Sequence, residues 1–560
     1  MGAAPRDAAV GHGPGDVTRT DLRRGVQGLL GAAAMIAVIT VLSRVLGLVR
    51  VLVQAGTVGV GEIADAYNSV NLLPNILFET AAGGALAGAV IPLLAAPLAA
   101  GDRERVSRIA SAALGWALFV LVPLGLLLAA SAGPIGRLFG GGDPALVAAA
   151  RYFVLVFSVQ VPMYGIAVLL YAVLQAHRRF FWPAFAPVLN SLVVVVAYVV
   201  YGSMARGEVT DPSALTAGAL EVLAWGTTAG VAAMLLPVVL PVRRLGVRLR
   251  PTLRFPGDSG QRFRALALAG VASVAAQQLS AAVLLLLASQ RLPGSVGNGY
   301  SAFMYAQQLY LLPYAVLVVP LATSTFPRVA TYAAAGDLTR LARVSAVTTR
   351  AVLAVATLGT AAMLAGGPAL AGVFAGVARE SQVVGGMTAT LQTMAPGVIG
   401  LGVVFHVSRT LYAVERPRLA IGVNAVAWSA VTVASLLTVL TVPPGAVVFT
   451  RLGLGTAIGM TVGGLVAVLV LARTVGPAAL AGLGRTTAVV LAGAGAGATL
   501  GRLVSDAVLD LVGDDPWTAA AAAAGGAVVA AGVVLCAVAL LDRTTLTGVV
   551  RAEHAPPTPR

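Results

Sequence analysis

The chain has 560 residues, of which 58% are hydrophobic and only 11% are charged. A soluble protein carries about a quarter charged residues, so the composition excludes a soluble globular enzyme and indicates a protein that crosses a membrane several times. The net charge of +15 comes from arginines in short loops between apolar segments, which excludes a nucleic-acid-binding face. With one cysteine, Cys536, and four scattered histidines, no metal site is predicted.

Apolar segments long enough to cross a bilayer, about 20 residues each, recur along the chain. They predict an all-α polytopic membrane protein with about 14 transmembrane helices. The approximate bounds are 28–58, 66–97, 108–132, 146–174, 182–202, 216–241, 263–288, 300–327, 344–367, 383–413, 418–442, 448–472, 486–504 and 517–541.

A long basic connection separates the first six predicted helices from the next six. The predicted organisation is a disordered tail (1–27), an N-lobe (28–241), a basic connection (242–262), a C-lobe (263–472), two further helices (473–541) and a second tail (542–560). The thirteenth helix carries Gly493, Gly497 and Gly501 at four-residue spacing. This spacing allows close helix packing in membranes, although a Gly/Ala-rich composition would also produce it.

Arginines concentrate in alternate loops, which is the pattern of the cytoplasmic side of a membrane protein. The basic connections lie at 103–108, 177–179, 243–264, 328–343, 416–418 and 473–485. The intervening loops are sparse in charge or acidic. We therefore expect a multi-pass protein of the cell membrane, with both termini in the cytoplasm.

Charged and polar residues interrupt the apolar sequence of the first two predicted helices. They include Arg44 and Arg50 in the first helix and Asp65, Asn75 and Glu79 in the second. An arginine at the centre of a membrane helix costs at least ~2.5–3.5 kcal/mol, so it usually faces a wet cavity or a partner. Two interpretations are open: a hydrated, positively charged chamber that binds an anion, or an internal clamp in which the arginines only neutralise the carboxylates.

Helices two and eight resemble each other, with AYNSVNLLPNIL (66–77) matching YAQQLYLLPYAV (305–316). Both place amides, among them Gln308, shortly before a proline, Pro74 or Pro313. Helix breaks at matching places in two halves of a transporter indicate a substrate site between the halves. We expect these prolines to break their helices and to act as gate or hinge residues.

Four motifs resemble one known family. They are SRVLGLVR (43–50), IADAYNSVNLLPN (63–75), QAHRRFFWPAFAPVLN (175–190) and SRTLYAVERPR (408–418). The chain is similar to the MurJ (MviN) lipid II flippases, of the multidrug/oligosaccharidyl-lipid/polysaccharide exporter superfamily, in particular to their actinobacterial branch. The resemblance implies two six-helix lobes around a central cavity, and two C-terminal helices that form a groove for the lipid tail.

The resemblance also implies roles for individual residues. Arg44 and Arg50 match the family's two first-helix arginines, which contact the anionic head group, and Asp65 matches the acidic residue at the start of helix 2. Other positions depart from the family. Phe78–Glu79 and Gln307–Gln308 replace basic or charged pairs, and Trp428 stands where a helix-11 acid would bind sodium. No cofactor or metal is therefore predicted, and the membrane potential or an ion gradient remains as the driving force.

The physical chemistry of the arginines agrees with a pyrophosphate substrate. Arg44 and Arg50 are ~9 Å apart along a helix axis, and a guanidinium binds phosphate oxygens bidentately. We predict a transporter, not an enzyme, that moves lipid II or a related polyprenyl-pyrophosphate saccharide from the inner to the outer leaflet by alternating access. The predicted substrate-binding residues are Arg44, Arg50, Asp65, Asn75, Glu79 and Gln308. The expected partners are this substrate, membrane lipids and cell-wall synthesis proteins.

Two other functions remain open from the sequence alone. The first is export of another polyprenyl-linked saccharide or of a drug, although a cationic drug would favour an acidic cavity. The second is a non-transporting membrane scaffold that is related to the flippases.

Overall fold

A computed structural model describes residues 19–208, 210–292, 299–380 and 383–545. Within these ranges the regular structure is helical, and no strand occurs. The α-helices are α1 (Arg19–Thr57), α2 (Glu62–Phe78), α3 (Gly84–Ala99), α4 (Arg103–Ala130), α5 (Ala132–Gly140), α6 (Pro144–Ser158), α7 (Gln160–Ala176), α8 (Phe181–Ala205), α9 (Ala219–Arg244), α10 (Ser259–Arg291), α11 (Gly299–Pro313), α12 (Val319–Ala334), α13 (Leu338–Ala378), α14 (Val383–Met394), α15 (Gly397–Ala413), α16 (Pro417–Leu440), α17 (Val447–Val475), α18 (Leu483–Val512) and α19 (Pro516–Leu541).

The length and composition of these helices confirm a polytopic membrane protein. In the described residues, 12 helices are long and apolar enough to cross a membrane, and the bent pair α14–α15 raises the number to 13. The predicted span 66–97 corresponds to α2 and α3, which are shorter pieces of 17 and 16 residues. Helix α1 begins at Arg19, inside the segment that we expected to be a tail, whereas residues 1–18 and 546–560 lie outside the described residues.

Neither Pro74 nor Pro313 interrupts its helical segment. A π-helical turn follows each of them: residues 79–83 after Pro74, and residues 314–318 directly after Pro313. A proline removes a backbone hydrogen bond, and a π-turn shifts the hydrogen-bond register and often marks a functional site. The prediction that Pro74 and Pro313 break their helices is therefore wrong, because the chain stays helical through both. Each lobe instead has a π-helical turn after its proline.

Two large apolar cores correspond to the two halves of the chain. The first is formed by α2 to α9, with fully buried aromatics such as Phe153 and Phe157, and the second by α10 to α17, with Phe303 and Phe449. Helix α1 contributes to both. Its residues Val51 and Ala55 belong to the second core, although α1 also packs along α8 of the first.

Helices α18 and α19 pack on α13 through small residues. The glycines that we noted at four-residue spacing face α19. A Cβ atom on Gly497 would lie 2.7 Å from the carbonyl oxygen of Ala530, and one on Gly501 would lie 2.3 Å from that of Gly526. Only glycine permits so close a backbone approach, so the spacing is a packing motif rather than a product of composition.

The connection between the lobes is fixed to α4. The backbone amides of 248–252 donate to Ser107 and Ser111, and the Trp116 indole donates to the carbonyl oxygen of Leu253 at 3.0 Å. A Cβ atom on Gly115 would lie 2.1 Å from the carbonyl oxygen of Thr252. The first half of this basic connection therefore belongs structurally to the N-lobe.

Candidate functional site

A polar cavity lies between the two lobes and runs beside α1. Its first section has a volume of about 300 Å³, and an adjoining section, which shares Arg50, Asn190 and Gln308 with it, has about 310 Å³. The walls come from α1, α2, α7, α8 and α9 of the first half and from α10 and α11 of the second. A site enclosed by both lobes changes its exposure when the lobes move relative to each other.

Both α1 arginines line this cavity. Arg50 borders both sections, whereas Arg44 borders the adjoining section, less than two helical turns before Arg50. Arg50 lies close enough to Tyr164 and Tyr198 to act on their hydroxyls electrostatically. The structure therefore brings together the two cations that the sequence analysis singled out.

Among the residues that the structure describes, no carboxylate lines either section of the cavity, and its charged groups are the two arginines. Seven of the other lining residues have amide side chains. These amides are Gln54, Asn68, Asn71, Asn75, Asn190, Gln307 and Gln308. An amide offers both donors and an acceptor, so this wall can bind sugar hydroxyls, acetamido groups and phosphate oxygens.

Asn75 and Gln308 were predicted as site residues from the sequence, whereas the other amides were not. The missed residues carried a signal, because Asn68 and Asn71 lie in the motif 63–75 and Asn190 ends the motif 175–190. Polar side chains inside an apolar span are the residues to test first for a site.

Asp65 lies at the end of the cavity where the lobes touch, and it does not pair with either arginine. Its Oδ1 accepts a hydrogen bond from the backbone amide of Ser301 at 2.8 Å, in the first turn of α11. A negative charge is favoured at a helix N-terminus, where backbone N–H groups lack partners. This contact joins the first lobe to the second.

Three more hydrogen bonds close the same end. Asn68 Nδ2 donates to Ser301 Oγ at 2.9 Å, and Tyr305 donates from its hydroxyl to the carbonyl oxygen of Gly59 at 3.2 Å. Gln290 Nε2 donates to the carbonyl oxygen of Leu138 at 2.9 Å. Because each bond crosses between the lobes, their breakage is required before this end can open.

The structure places Glu79 away from the cavity. It begins the π-turn at 79–83, which packs against α10, and it forms no ion pair with Arg44 or Arg50. The direct arginine–carboxylate clamp is therefore absent among the described residues. Since Pro74 immediately precedes the cavity residue Asn75, movement of the proline-containing turn would displace a cavity amide.

A third arginine near the cavity was missed. The Arg409 guanidinium lies 4.7 Å from the Phe405 ring centroid, and Phe405 packs edge-to-face on Tyr314. Both Arg409 and Arg44 lie close enough to Tyr314 to act on its hydroxyl. The motif 408–418 contains this arginine, so its position was available as a signal. Cation–π contacts hold its planar group in a fixed orientation.

Among the described residues, no group of three or more His, Cys, Asp or Glu side chains could hold a metal ion. The polar chemistry of the cavity is thus that of guanidinium, amide and hydroxyl groups.

The family of this chain is shown by its match to a known family. A family sequence model described as "Lipid II flippase MurJ" matches residues 54–514. The chain belongs to the MurJ lipid II flippase family. The family resemblance that we inferred from the motifs is thus confirmed, and the family is one of transporters rather than enzymes.

Individual relatives agree with this assignment. A "Probable lipid II flippase MurJ" of Rhizobium meliloti is 28% identical over 309 residues, which cover 54% of both chains. A "Lipid II flippase MurJ" of Burkholderia cenocepacia is 27% identical over 316 residues, which cover 53% of this chain and 56% of the relative. The chain thus spans about half the length of the curated relatives that it matches.

Solved structures show the same fold. A structure titled "Lipid II flippase MurJ, inward closed conformation" superposes with a TM-score of 0.69 at 17% identity, covering 92% of this chain and all of that one. A MATE-family multidrug transporter of the MOP superfamily superposes with a TM-score of 0.63 at 15% identity, covering 80% of this chain and 98% of that one. The all-α polytopic fold class is therefore confirmed.

Proposed function

We propose that this protein translocates lipid II, or a closely related polyprenyl-pyrophosphate saccharide, across the membrane. The observation that carries the proposal is the charge of the central cavity: Arg44 and Arg50 line it, and no carboxylate in the described part of the chain does. A pyrophosphate cannot cross ~30 Å of hydrocarbon without compensation by cations. A cationic drug would be repelled by the same site.

The geometry supports a mechanism of alternating access. The pyrophosphate would bind the guanidinium groups bidentately, while the amide wall binds the saccharide. The hydrogen bonds at Asp65, Asn68 and Tyr305 hold one end of the cavity shut. Helix α1 packs on both lobes, so a change in their relative position would move Arg44 and Arg50 together with the bound head group.

We propose that both termini face the cytoplasm, so that transport runs from the inner to the outer leaflet. The alternation of basic and acidic loops supports this orientation. Reporter fusions at Gly257 and Gly513 test it, since the first should read cytoplasmic and the second external. An external signal at Gly257 would reverse the proposed direction.

Three further elements of the proposal come from the family and from the sequence. The lipid tail would remain outside the polar cavity, along α18 and α19. The driving force would be the membrane potential or an ion gradient, since the chain has no nucleotide-binding motif. The protein would work beside the cell-wall synthesis proteins that consume its product.

The decisive experiment is reconstitution in liposomes with fluorescently labelled lipid II. Access of an added quencher or modifying enzyme to the head group reports translocation. We expect Arg50→Ala to abolish translocation, and Arg473→Ala to leave it unchanged because Arg473 is an exposed residue in the last turn of α17, outside both cavity sections. Wild-type liposomes that show no more translocation than protein-free liposomes would reject the proposal.

A further inference from the structure

A second crevice lies on the side of the N-lobe and shares no lining residue with the central cavity. It has a volume of about 960 Å³ and is bounded by α1, the α7–α8 connection and the end of α9. Three arginines line it, Arg178 and Arg179 from the connection and Arg244 from α9, and none of its described lining residues is a carboxylate.

The three arginines are exposed, and none forms an ion pair among the described residues. Three like charges at one crevice repel each other, and this repulsion lowers stability unless an anion binds between them. A binding anion would therefore gain from all three guanidinium groups at once, whereas an isolated surface arginine offers one.

The crevice has an apolar side that continues from its basic end. Leu236, Leu240 and Arg244 repeat at four-residue spacing on α9, so they form one stripe about 12 Å long. Both leucines are more than half exposed, at 65% and 53%. The stripe therefore places the apolar surface of Leu236 and Leu240 next to the guanidinium group of Arg244 at the end of α9.

Aromatic residues mark the boundary between the apolar and the basic side. Phe181 contacts Trp182 edge-to-face, with ring centroids 5.3 Å apart, and Phe180 and Phe181 are exposed. Aromatic side chains concentrate at the level of the lipid head groups. Arginines and aromatics at this level, above exposed leucines, match the amphipathic shape of a membrane lipid.

We propose that this basic crevice binds an anionic glycerophospholipid, with its phosphate between Arg178, Arg179 and Arg244 and an acyl chain along Leu236 and Leu240. Basic pockets between membrane helices on the cytoplasmic side are suited to anionic head groups. The crevice lies at the membrane end that the loop arginines predict to be cytoplasmic. The inference does not rest on the proposed transport function, because the crevice is separate from the central cavity.

Trp182 provides a direct optical test. The chain has five tryptophans, so replacing the other four by phenylalanine leaves Trp182 as the sole reporter. In phosphatidylcholine liposomes, brominated phosphatidylglycerol should quench Trp182 at a lower mole fraction than brominated phosphatidylcholine does. Each arginine removed should weaken this preference about fivefold. Equal quenching by the two lipids would overturn the proposal.

A second test compares the crevice variant R178Q/R179Q/R244Q with the control variant R416Q/R418Q/R473Q. Both sets remove three exposed arginines from predicted cytoplasmic loops, but only the first set lines the crevice. We expect the preference for phosphatidylglycerol to be lost in the first variant and kept in the second. Equal loss in both would show a general charge effect and reject a built site.

Two further measurements keep the test decisive. Native mass spectrometry of the chain with all its tryptophans should show phosphatidylglycerol adducts that R178Q/R179Q/R244Q lacks, so the result does not depend on the single-tryptophan variant folding. Undecaprenyl diphosphate at equimolar concentration should leave quenching by brominated phosphatidylglycerol unchanged. Displacement at that concentration would identify the crevice as an entry site for the transport substrate and would overturn the phospholipid assignment.

Discussion

Arg44 and Arg50 owe their position to the helix that carries them. Helix α1 packs along α8 and also contributes Val51 and Ala55 to the second core, so its polar face borders the cavity. Asp65, which the clamp interpretation pairs with these arginines, instead accepts a hydrogen bond from Ser301 at the start of α11. Both guanidinium groups are therefore available to an anionic substrate.

The first prediction tests whether Arg50 binds an anionic substrate or only neutralises a carboxylate of the protein. Arg50→Ala should weaken lipid II binding by about tenfold or more, since hydrogen bonds to charged groups contribute roughly 1.5–3 kcal/mol. Arg50→Lys should be intermediate, because an ammonium keeps the charge and loses the bidentate geometry. Binding to purified protein in detergent measures both.

The control for this prediction is the double variant Arg50→Ala/Asp65→Ala. If the arginine only neutralised Asp65, removal of both charges would restore function, as it often does for a paired ion. We expect no recovery. Recovery of binding and translocation in the double variant would contradict the substrate role of Arg50.

The second prediction concerns Gly299, where α11 meets Asp65. Its φ is +45°, and an added Cβ would lie 1.8 Å from Asp65 Oδ2. Gly299→Ala should displace the carboxylate from Ser301 and loosen this end of the cavity. In a Cys536→Ala background, a cysteine at Gln308 should then react faster with a membrane-impermeant maleimide added from outside.

Gly445→Ala is the matched control for Gly299→Ala. Gly445 also has a positive φ, +140°, but an added Cβ there meets nothing within 4 Å. It therefore introduces backbone strain without the clash. Equal labelling of Gln308→Cys in the two variants would show that the contact between Gly299 and Asp65 does not control the closure.

At the scale of elements, the packing of α18 on α19 depends on the absence of side chains. Gly497→Leu should lower the melting temperature in detergent, since overpacking a tight contact costs about 1–3 kcal/mol. Gly495→Leu, two residues away on the same helix, is the control because its Cβ would meet nothing within 4 Å. A similar melting temperature for both variants would show that the glycine contact is not a source of stability.

The end of α19 is held by a buried carboxylate. Asp542 is 1% exposed and accepts hydrogen bonds from Thr486, Thr544 and Thr545. Burial alone would raise the pKa of Asp542, but these hydrogen bonds outweigh it and hold the pKa below its usual 3.8. The charged form is thus stabilised by folding, and this stability is present at neutral pH and lost as the pH falls through the lowered pKa.

Asp542→Asn should therefore lower the melting temperature at pH 7, because loss of a buried hydrogen-bonding partner costs about 1–3 kcal/mol. The difference from the wild type should stay constant above about pH 5 and shrink below about pH 4, where the carboxyl takes up a proton first in the unfolded chain and then, at lower pH, in the folded protein. Thermal unfolding in detergent across this range measures it. A difference that does not depend on pH would reject an electrostatic role for Asp542.

At the scale of the whole molecule, the proposed alternating access requires the lobes to separate at the end where Asn68 and Ser301 meet. Asn68→Cys/Ser301→Cys, in a Cys536→Ala background, should form a disulfide under oxidation, because the native side chains touch at 2.9 Å. Translocation of labelled lipid II should then stop and should return on reduction. Alternating access moves each lobe as a unit relative to the other, so a covalent bond between the lobes should stop transport.

The matched control places the disulfide within one lobe. Asn424 Nδ2 donates to Ser408 Oγ at 2.8 Å, between α15 and α16, so Asn424→Cys/Ser408→Cys cross-links residues that should not separate. This variant should translocate equally well in oxidised and reduced form. Continued transport with the oxidised bridge between Asn68 and Ser301 would contradict alternating access across this closure.

Much of this molecule was predictable from local sequence. Apolar runs of membrane length located the helices, because hydrogen bonds within a helix satisfy the backbone in lipid whatever the rest of the chain does. Arg44 and Arg50 were evident as site candidates for the same reason, since a charge in an apolar span needs a special environment. The glycine spacing at 493–501 was also visible in the sequence, but composition would produce it too, and the contacts of Gly497 and Gly501 with α19 assigned its packing role.

Only the tertiary structure determined which residues meet. Asp65 and Ser301 are 236 positions apart, and nothing in the local sequence of either predicts a hydrogen bond between two lobes. The location of Glu79 outside the cavity, and the crevice that collects Arg178, Arg179 and Arg244, depend in the same way on how helices pack. Hydropathy and spacing are properties of neighbouring residues, whereas a cavity forms between surfaces that distant segments bring together.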